Sequence, residues 1–373
     1  MDDYVLANDD DDDPMENSMP LTIHQVLTSS SSSVESQGSS SGSGHMRSDS
    51  MEFSSHDLGD WNLRFQRTID AFREVDAYQD VDENSQRIVS YNRTLINLAQ
   101  DFYYNARTYG KIIISEYYLH NSKKSIFPSN DVGAGGEKYV FHNIIFKFCT
   151  AQKTGLFEDD AYAAKVAAHE LIGLQSYFHC NIPELCVPMM ALVDYRGFRI
   201  SAVSKVPIDS STIIYGSDDR GKNVHASNPV FNEKMKLAAS IIGLKEHRVG
   251  RVLDTSQTLA APFDVEGHSG RDGRFYLIDF SRVMPPETIQ PDVRGCALFR
   301  LLRPEFVFKY VKETNIPLCP DAYCPATRIH PGYEIHDREI DVATQYLHKV
   351  VIPAFALTLV NSLESWIFRG EKP

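Results

Sequence analysis

The chain has 373 residues, of which 42% are hydrophobic and 11% aromatic, so it can bury the core of one large domain or two ordinary ones. Of its formal net charge of −13, −11 lies in residues 1–57, which hold twelve acids against the single base Arg47, and only −2 lies in the remainder. Because the residues after 57 are nearly neutral overall, net charge gives no reason to expect that the chain as a whole binds nucleic acid.

Cysteine usage and hydropathy indicate a soluble intracellular protein. The six cysteines include no Cys-x-x-Cys pair, and Cys319 and Cys324 lack a second pair that would complete a zinc site, which predicts reduced thiols. The acidic N-terminus does not resemble a signal or transit peptide. The longest apolar run, residues 350–360, is short for a membrane span and contains Pro353. We therefore expect no transmembrane segment and a cytoplasmic location.

The pattern of residues along the chain predicts a tail followed by helices and strands. Residues 1–57 combine an aspartate run with SSSSSVESQGSSSGSG, which predicts a disordered acidic tail. Helical spacing follows in residues 61–72 and 85–110, and Gly110 is the predicted end of the second helix. The Ile- and Tyr-rich segment 111–119 then predicts a strand, and residues 136–149 predict a strand pair or one bent strand.

The second half of the chain predicts further hairpins and helices. An Ala-rich helix over 159–178 precedes a hairpin over 187–208 that turns at Gly197. A further hairpin turns at Asp272-Gly273 and ends in the acid Asp279. The remaining segments, 227–244, 293–313 and 337–368, have helical patterns. The fold class predicted is α+β, with antiparallel hairpins flanked by helices, in a domain over 58–315 and a C-terminal helical extension over 316–373 that packs on it.

Several of these segments, in this order, resemble the Clu domain of the clustered-mitochondria protein family. The resemblance covers roughly Trp61 to Tyr310 and implies a stand-alone Clu domain, because the family's upstream ubiquitin-like region and downstream helical repeats do not fit in this chain. The matching segments are WNLRFQ (61–66), HNIIF (142–146), VDYRGFRISAVSKVP (193–207), IIYGSDDRGK (213–222), LKEHRV (244–249), DVEGHSGRDGRFYLIDFSRVMPPE (264–287) and LFRLLRPEFV (298–307).

What the family resemblance implies is a cytoplasmic, non-catalytic protein that acts in the distribution of mitochondria or as a scaffold. It implies protein partners, and it makes messenger RNA a further candidate partner. The family has no agreed catalytic residues, so none is transferred to this chain. The missing repeats weaken the case for RNA binding, because the resemblance does not assign that role to the Clu portion.

A weaker resemblance, to kinase-like phosphotransferases, provides the alternative function and a two-lobe arrangement. Phosphoryl transfer needs a strand lysine on the phosphates, a helix carboxylate that orients it and an aspartate on Mg²⁺. The alternative would use ATP and Mg²⁺, with the following assignments: nucleotide binding by Gly135, Gly136, Lys147 and Glu170, metal binding by Asp279, and catalysis by Asp264 and His268.

Each of these residues also has an ordinary structural explanation. Gly135 and Gly136 fit a flexible loop. Lys147 fits the solvent-facing side of an edge strand, and Glu170 fits an exposed position on a helix. No Asn lies between Asp264 and Asp279, although protein kinases need one in that loop. A carboxylate at the end of a buried strand must be paired or bound to metal, and the alternatives to Mg²⁺ as partner of Asp279 are three arginines: Arg196, Arg199 and Arg282.

The DYRGFR hairpin tip suggests a contact surface for RNA or another partner. Tyr195, Arg196, Phe198 and Arg199 interleave aromatic and basic side chains, as RNA-binding surfaces do. The same four residues are also what an ordinary hairpin tip requires, so both interpretations stand at this point.

Overall fold

A computed structural model of the chain describes residues 59–75, 81–129, 137–151 and 157–369. The tail predicted over 1–57, together with Gly135 and Gly136, lies outside these residues. The helices are α1 (Trp61–Val75), α2 (Val81–Ser115), α3 (Asp160–His179), α4 (Pro229–Ile242), α5 (Cys296–Phe299), α6 (Pro304–Thr314), α7 (Tyr333–Tyr346) and α8 (Ile352–Arg369).

Twelve strands are formed by the described residues, in three sheets. A five-stranded sheet has the order β1-β2-β3-β6-β5, a second has the order β4-β12-β11-β7-β8, and β9 pairs with β10. The strands are β1 (Pro128–Ser129), β2 (Lys138–Phe141), β3 (Ile144–Phe148), β4 (Leu185–Cys186), β5 (Met190–Tyr195), β6 (Phe198–Ser204), β7 (Ile213–Gly216), β8 (His225–Ala226), β9 (His247–Val249), β10 (Gln257–Leu259), β11 (Glu266–Ser269) and β12 (Phe275–Ile278). The α+β class is confirmed, and the kinase-like two-lobe arrangement stays a prediction.

The chain divides into two compact units. One contains Thr68–Gln100, where Phe72 stacks on Tyr91 with ring centroids 4.0 Å apart. The other contains the described residues of 59–67 and 101–369 and holds all three sheets. All residues of the candidate site described below belong to this larger unit.

The first sheet is built from two hairpins with tight turns. His142 and Asn143 both have positive φ, 50° and 57°, between β2 and β3. Arg196 and Gly197 have φ of 49° and 82° between β5 and β6, where the sequence predicted a turn. Two consecutive residues with positive φ form the turn whose twist matches that of the flanking strands. These turns fix the register of both hairpins.

Helix α2 continues to Ser115, so the strand predicted after Gly110 is wrong. Ile113 and Ile114 are buried, and tertiary packing of this helix overrides the β propensity of the isoleucines. Gly110 lies inside the helix, where it packs closely against the first sheet. A Cβ at that position would lie 3.3 Å from Cγ1 of Val193 in the first sheet.

The predicted helices α3 and α4 are confirmed with clear caps. The Asp159 side chain accepts a hydrogen bond from the backbone N–H of Ala161 at the start of α3. The Asn228 side chain does the same for Phe231 at the start of α4, which ends at Gly243 with φ 89°. The predicted hairpin of β11 and β12 is also present, and Gly273 has φ 81° in its turn.

The C-terminal part begins as buried, non-helical chain. In this segment Cys319 and Asp321 are fully buried. Helices α7 and α8 follow it and are joined by the π-helical turn Leu347–Val351. This turn precedes Pro353, whose ring would clash with a carbonyl in a regular α-helix. In the part of the chain that the structure describes, one 30-residue helical stretch, Tyr333–Ser362, is long enough to span a membrane and contains an 18-residue window with mean hydropathy 1.2, of which 11% is buried.

Candidate functional site: a lysine–carboxylate cluster

Two lysines lie directly opposite each other on the first sheet. In the register of β2 and β3, Lys138 pairs with Lys147, and both are half-buried. Strand β3 alternates so that Ile144, Phe146 and Phe148 are buried on one face while Lys147 projects from the other. The two lysines therefore share one sheet face, because directly opposed residues of an antiparallel pair do so.

Helix α3 brings Glu170 towards the end of β12. Gly173, one turn after Glu170, packs so closely that a Cβ there would lie 2.2 Å from the carbonyl oxygen of Phe280. Tyr177, one further turn along, contacts the Phe280 ring with centroids 5.9 Å apart. Residues three and seven positions apart share a helix face. The face of α3 that carries Glu170 is therefore the face that packs on Asp279-Phe280.

The third part of the site is the end of the β11–β12 hairpin. Glu266 lies opposite Ile278, the residue before Asp279. Asp279 itself has φ 62°, a left-handed conformation that redirects the chain as the strand ends. The residue is partly open to solvent, and among the described residues its carboxylate forms no hydrogen bond or ion pair. Lys138, Lys147, Glu170, Glu266 and Asp279 are called the lysine–carboxylate cluster below.

Electrostatic interactions connect the members of this cluster. Burial raises the pKa of Glu170, while Lys147 and Lys138 act in the opposite direction. Although part of Asp279 is open to solvent, the surrounding protein desolvates its carboxylate, and with Glu170 and Glu266 this raises the pKa of Asp279 to about 8. Burial and the neighbouring Lys147 lower the pKa of Lys138, against the pull of Asp279 and Glu170. The sequence-predicted Lys147, Glu170 and Asp279 thus occupy one region.

The two residues predicted as catalytic are held in structural contacts. Both oxygens of Asp264 accept hydrogen bonds from Arg282, at 2.6 and 2.9 Å. His268 is buried, with Nδ1 hydrogen-bonded to the Thr212 hydroxyl at 3.0 Å and Nε2 3.3 Å from a carboxylate oxygen of Glu266. A general base needs a free lone pair aimed at the reacting proton. In this structure both side chains use their polar atoms within the protein.

None of the three arginines considered as partners of Asp279 binds it. Arg282 bridges Asp264 and the buried Asp321, and Arg199 binds Asp194. Arg196 lies over the Tyr195 ring at 5.1 Å from its centroid. The structural ion pair considered for Asp279 is therefore absent from the described part of the chain.

The four residues of the predicted RNA or partner surface have different roles. Phe198 packs against Tyr117 and Phe148, with ring centroids 5.2 and 5.9 Å apart. Arg199 donates to Asp194 and to the carbonyl of Ala164 in α3. Arg196 is exposed, and Tyr195 is half-buried. All four line an open cavity of about 810 Å³. Phe198 and Arg199 thus also stabilise the hairpin, and Arg196 is the exposed member of the four.

Sequence reasoning missed Lys138 and Glu266. A signal for Lys138 was present, since it lies as far before the His142-Asn143 turn as Lys147 lies after it, so the hairpin pairs them. Glu266 could have been placed by counting back from the Asp272-Gly273 turn. In the described residues no group of three or more His, Cys, Asp or Glu side chains could hold a metal ion by itself.

Comparison with known proteins places this domain in a family. The model of the family described as "Clustered mitochondria" (CLU) matches residues 60–289. The clustered mitochondria protein of Arabidopsis thaliana is 33% identical over 168 residues, 43% of this chain and 12% of that protein. The human homolog is 26% identical over 235 residues, 61% of this chain and 17% of that protein.

Protein clueless of Drosophila persimilis is 26% identical over 235 residues, which is 61% of this chain and 15% of that protein. The chain thus spans less than a fifth of the length of these relatives. No solved structure matches it. Because the family model covers more than half of the chain, the protein belongs to the clustered mitochondria (CLU) family.

Proposed function

We propose that the chain is a cytoplasmic, non-catalytic CLU-domain protein that acts in the distribution or organisation of mitochondria. The names of its relatives, clustered mitochondria protein and its homologs, support the cellular role. The match of the CLU family model to residues 60–289 supports assigning that role to this domain.

The observation that carries the non-catalytic assignment is the ion pair between Asp264 and Arg282. Both carboxylate oxygens of Asp264 are engaged by one guanidinium group, at 2.6 and 2.9 Å. A bidentate, charge-assisted pair of this kind is among the stronger interactions in proteins. An aspartate held in this way is poorly suited to accept a proton from a substrate hydroxyl.

Protein partners are also part of the proposal. Helix α4 exposes a line of apolar side chains, Val230, Leu237 and Ile241, each at least 43% accessible. They are spaced seven and four residues apart and so share one face of the helix. A scaffold protein would use such a face to bind another protein, since contiguous exposed apolar patches are typical of interaction surfaces.

The cellular role is tested by expressing the chain in cells that lack their own CLU-family protein. Imaging of mitochondria is expected to show a wider distribution than in cells carrying an empty vector, and fractionation should recover the chain with the cytosol. Mitochondria that stay clustered despite normal levels of the folded chain would contradict the role. A double substitution of Leu237 and Ile241 by Asp tests whether the α4 face contributes.

An ATP- and Mg²⁺-dependent phosphotransferase is the second candidate, because the lysine–carboxylate cluster contains Lys147, Glu170 and Asp279 together. The test is turnover of ATP labelled at the γ-phosphate by the purified chain in Mg²⁺. The non-catalytic proposal predicts the same release of label with the chain as with buffer. Label release or transfer that disappears in Asp279→Asn and persists in Asp218→Asn would favour the enzyme. Asp218 is a matched control, since it is an exposed loop residue.

A further inference from the structure

We propose that a positively charged surface of the larger unit binds the aspartate run Asp9–Asp13 of the same chain. This surface, called the cationic strip below, is formed by five residues of α2 and of the β5–β6 hairpin: Tyr104, Arg107, Lys111, Tyr195 and Arg196. An acidic partner that uses the strip would have to displace the aspartates. The inference goes beyond the mitochondrial role proposed above and does not depend on it.

The first part of the strip is one face of helix α2. Tyr104, Arg107 and Lys111 are spaced three and four residues apart, so they lie one above the other on the helix. Tyr104 is 69% accessible, and its hydroxyl can donate to a carboxylate, while Arg107 is exposed. The packing of Gly110 on Val193 holds this helix against the first sheet. The face is therefore presented at a fixed position on the surface.

The tip of the β5–β6 hairpin extends the strip. Nζ of Lys111 lies 5.2 Å from the centroid of the Tyr195 ring, and the guanidinium carbon of Arg196 lies 5.1 Å from the same centroid. Both distances are within the range of a cation–π interaction. The two cations are close neighbours, because they contact one ring. The helix and the hairpin thus contribute to one continuous surface.

The positive charge of the strip is not neutralised by neighbouring acids. In the part of the chain that the structure describes, none of its three cations forms an ion pair. The nearby acids have other partners. Asp101 pairs with Arg64 at 3.4 Å, and both carboxylate oxygens of Asp194 accept hydrogen bonds from Arg199. Helix α2 contains no acid between residues 102 and 115. Three unpaired cations close together favour an anionic ligand with several charges.

The aspartate run matches the strip in charge. Residues 1–57 carry a net charge of −11, and Asp9–Asp13 supply five adjacent carboxylates. The same net charge would repel the phosphates of a nucleic acid, which favours the acidic segment over RNA as the ligand. The aspartates also belong to the same molecule, so their effective concentration at the strip is high without any free ligand.

The acidic segment also joins the described structure close to the strip. The described chain begins at Gly59, and two residues later the Trp61 ring contacts Phe102 of α2, with centroids 5.5 Å apart. Phe102 lies nine residues before Lys111, which is about 14 Å along a helix. The 45 residues between Asp13 and Gly59 can span about 150 Å when fully extended. The aspartates can therefore reach the strip without strain.

The first experiment is cross-linking of the full chain with a carbodiimide, which joins a carboxylate directly to an ammonium group in contact with it. Peptide mass spectrometry should find an amide between Lys111 and one of Asp9–Asp13. The yield should fall at high salt, because salt screens exposed charges. Lys222 is the control, since it is an exposed lysine outside the strip. Equal yields at the two lysines would overturn the proposal.

Isotope labelling shows whether the contact lies within one molecule. Chains labelled with heavy nitrogen are mixed with ordinary chains before the cross-linking. The proposal predicts that the linked peptides carry the same label. Linked peptides of mixed label would assign the contact to a second copy of the chain, and so would overturn it.

Variants identify the residues that hold the aspartates. Arg107→Gln combined with Arg196→Gln should lower the yield of the Lys111 cross-link about fivefold, as expected for the loss of two exposed charge contacts. Arg220→Gln combined with Arg251→Gln is the matched control, since both arginines are exposed outside the strip. An equal effect of the two pairs would exclude the strip as the binding surface.

A binding experiment tests whether the surface is occupied in the intact chain. The probe is a fluorescent peptide with the sequence of residues 1–16, followed by anisotropy. It should bind a full chain with Asp9–Asp13 replaced by asparagine more tightly than the unsubstituted chain, whose own aspartates compete. Equal affinity for the two chains, or no binding to either, would contradict this. Single-stranded RNA that binds both chains alike, without a Lys111 cross-link, would assign the strip to nucleic acid instead.

Discussion

Arg282 binds Asp264 through two hydrogen bonds, Nε to Oδ2 at 2.6 Å and Nη2 to Oδ1 at 2.9 Å. The same Nη2 also donates to the buried Asp321 at 2.9 Å, so one arginine joins two segments that are far apart in sequence. Asp321 in turn lies 2.9 Å from Nε2 of the buried His247. This charged network connects β9, the loop before β11 and the chain after α6. Because both carboxylate oxygens of Asp264 are bound to Arg282, Asp264 is poorly placed to act as a general base.

Arg282→Ala should strongly destabilise the protein, because it leaves Asp264 and Asp321 without their shared cation. Removing one partner of a buried ion pair typically costs about 3–5 kcal/mol. The measurement is the free energy of unfolding in urea. Arg303→Ala is the control, since its pair with Glu305 is 79% and 70% exposed and should contribute less than about 1 kcal/mol. Equal losses in the two variants would contradict the network's role.

Gly173→Ala should destabilise the protein although alanine favours helices. A Cβ at this position would lie 2.2 Å from the Phe280 carbonyl oxygen and 2.9 Å from the Val283 side chain. Such overpacking typically costs about 1–3 kcal/mol, which exceeds the helix preference of alanine over glycine. Gly59→Ala is the matched control, because no atom lies within 4 Å of its added methyl. Urea unfolding that is unchanged in Gly173→Ala would show that α3 can move away from Phe280.

Stability should fall as pH rises above neutrality, through His247. Burial disfavours the charged ring, but the Cys319 sulfur and Asp321 outweigh it and raise the pKa of His247 well above the ordinary 6.5. Nδ1 of the ring also lies 3.0 Å from the Lys245 carbonyl oxygen. A raised folded-state pKa contributes stability that is complete below 6.5 and is lost as pH rises through the folded-state value.

The measurement for this prediction is urea unfolding at several pH values from 5 to 9. His247→Gln should be less stable than the unsubstituted chain at the acidic end, and the difference should shrink towards the basic end. Parallel profiles for the two proteins would exclude His247 as the titrating group.

On the acidic side, the lowered pKa of Asp321 predicts a further loss of stability as pH falls below the ordinary 3.8.

Arg199→Ala should reduce stability, whereas Arg196→Ala should not. Arg199 donates twice to Asp194, at 2.6 Å each, and once to the Ala164 carbonyl at 2.8 Å. Since Asp194 is largely exposed, the expected loss is about 1 kcal/mol. Arg196 is exposed and contacts mainly the Tyr195 ring. Thermal unfolding of the two variants side by side measures the difference, and equal melting temperatures would contradict it.

RNA association, if this hairpin carries it, should depend on Arg196. Arg196→Ala is expected to lower the affinity for single-stranded RNA and to flatten its salt dependence, with no change in Tm. A filter-binding or anisotropy titration at several salt concentrations provides the test. Binding that is unaffected by Arg196→Ala would exclude the DYRGFR hairpin as the contact surface.

Much of the fold could be predicted from local sequence. The turns at Gly197 and Gly273 depend on short-range rules, and the structure has them where the sequence indicated. Segment 111–115 could not be predicted in this way. Its isoleucines prefer strands locally, but packing against the first sheet keeps them in α2.

The sequence by itself determined the family and the α+β class, because motifs, periodicity and turn residues are local properties. It left open whether Asp279 binds an arginine or faces Lys147. Only the tertiary structure separated these alternatives, since Asp264 and Asp321, which are not adjacent to Arg282 in sequence, bind it in the folded chain. Arg282 binds Asp264 and Asp321 and is therefore not available to Asp279. The packing of Gly173 on Phe280 brings helix α3, which carries Glu170, against the residue that follows Asp279.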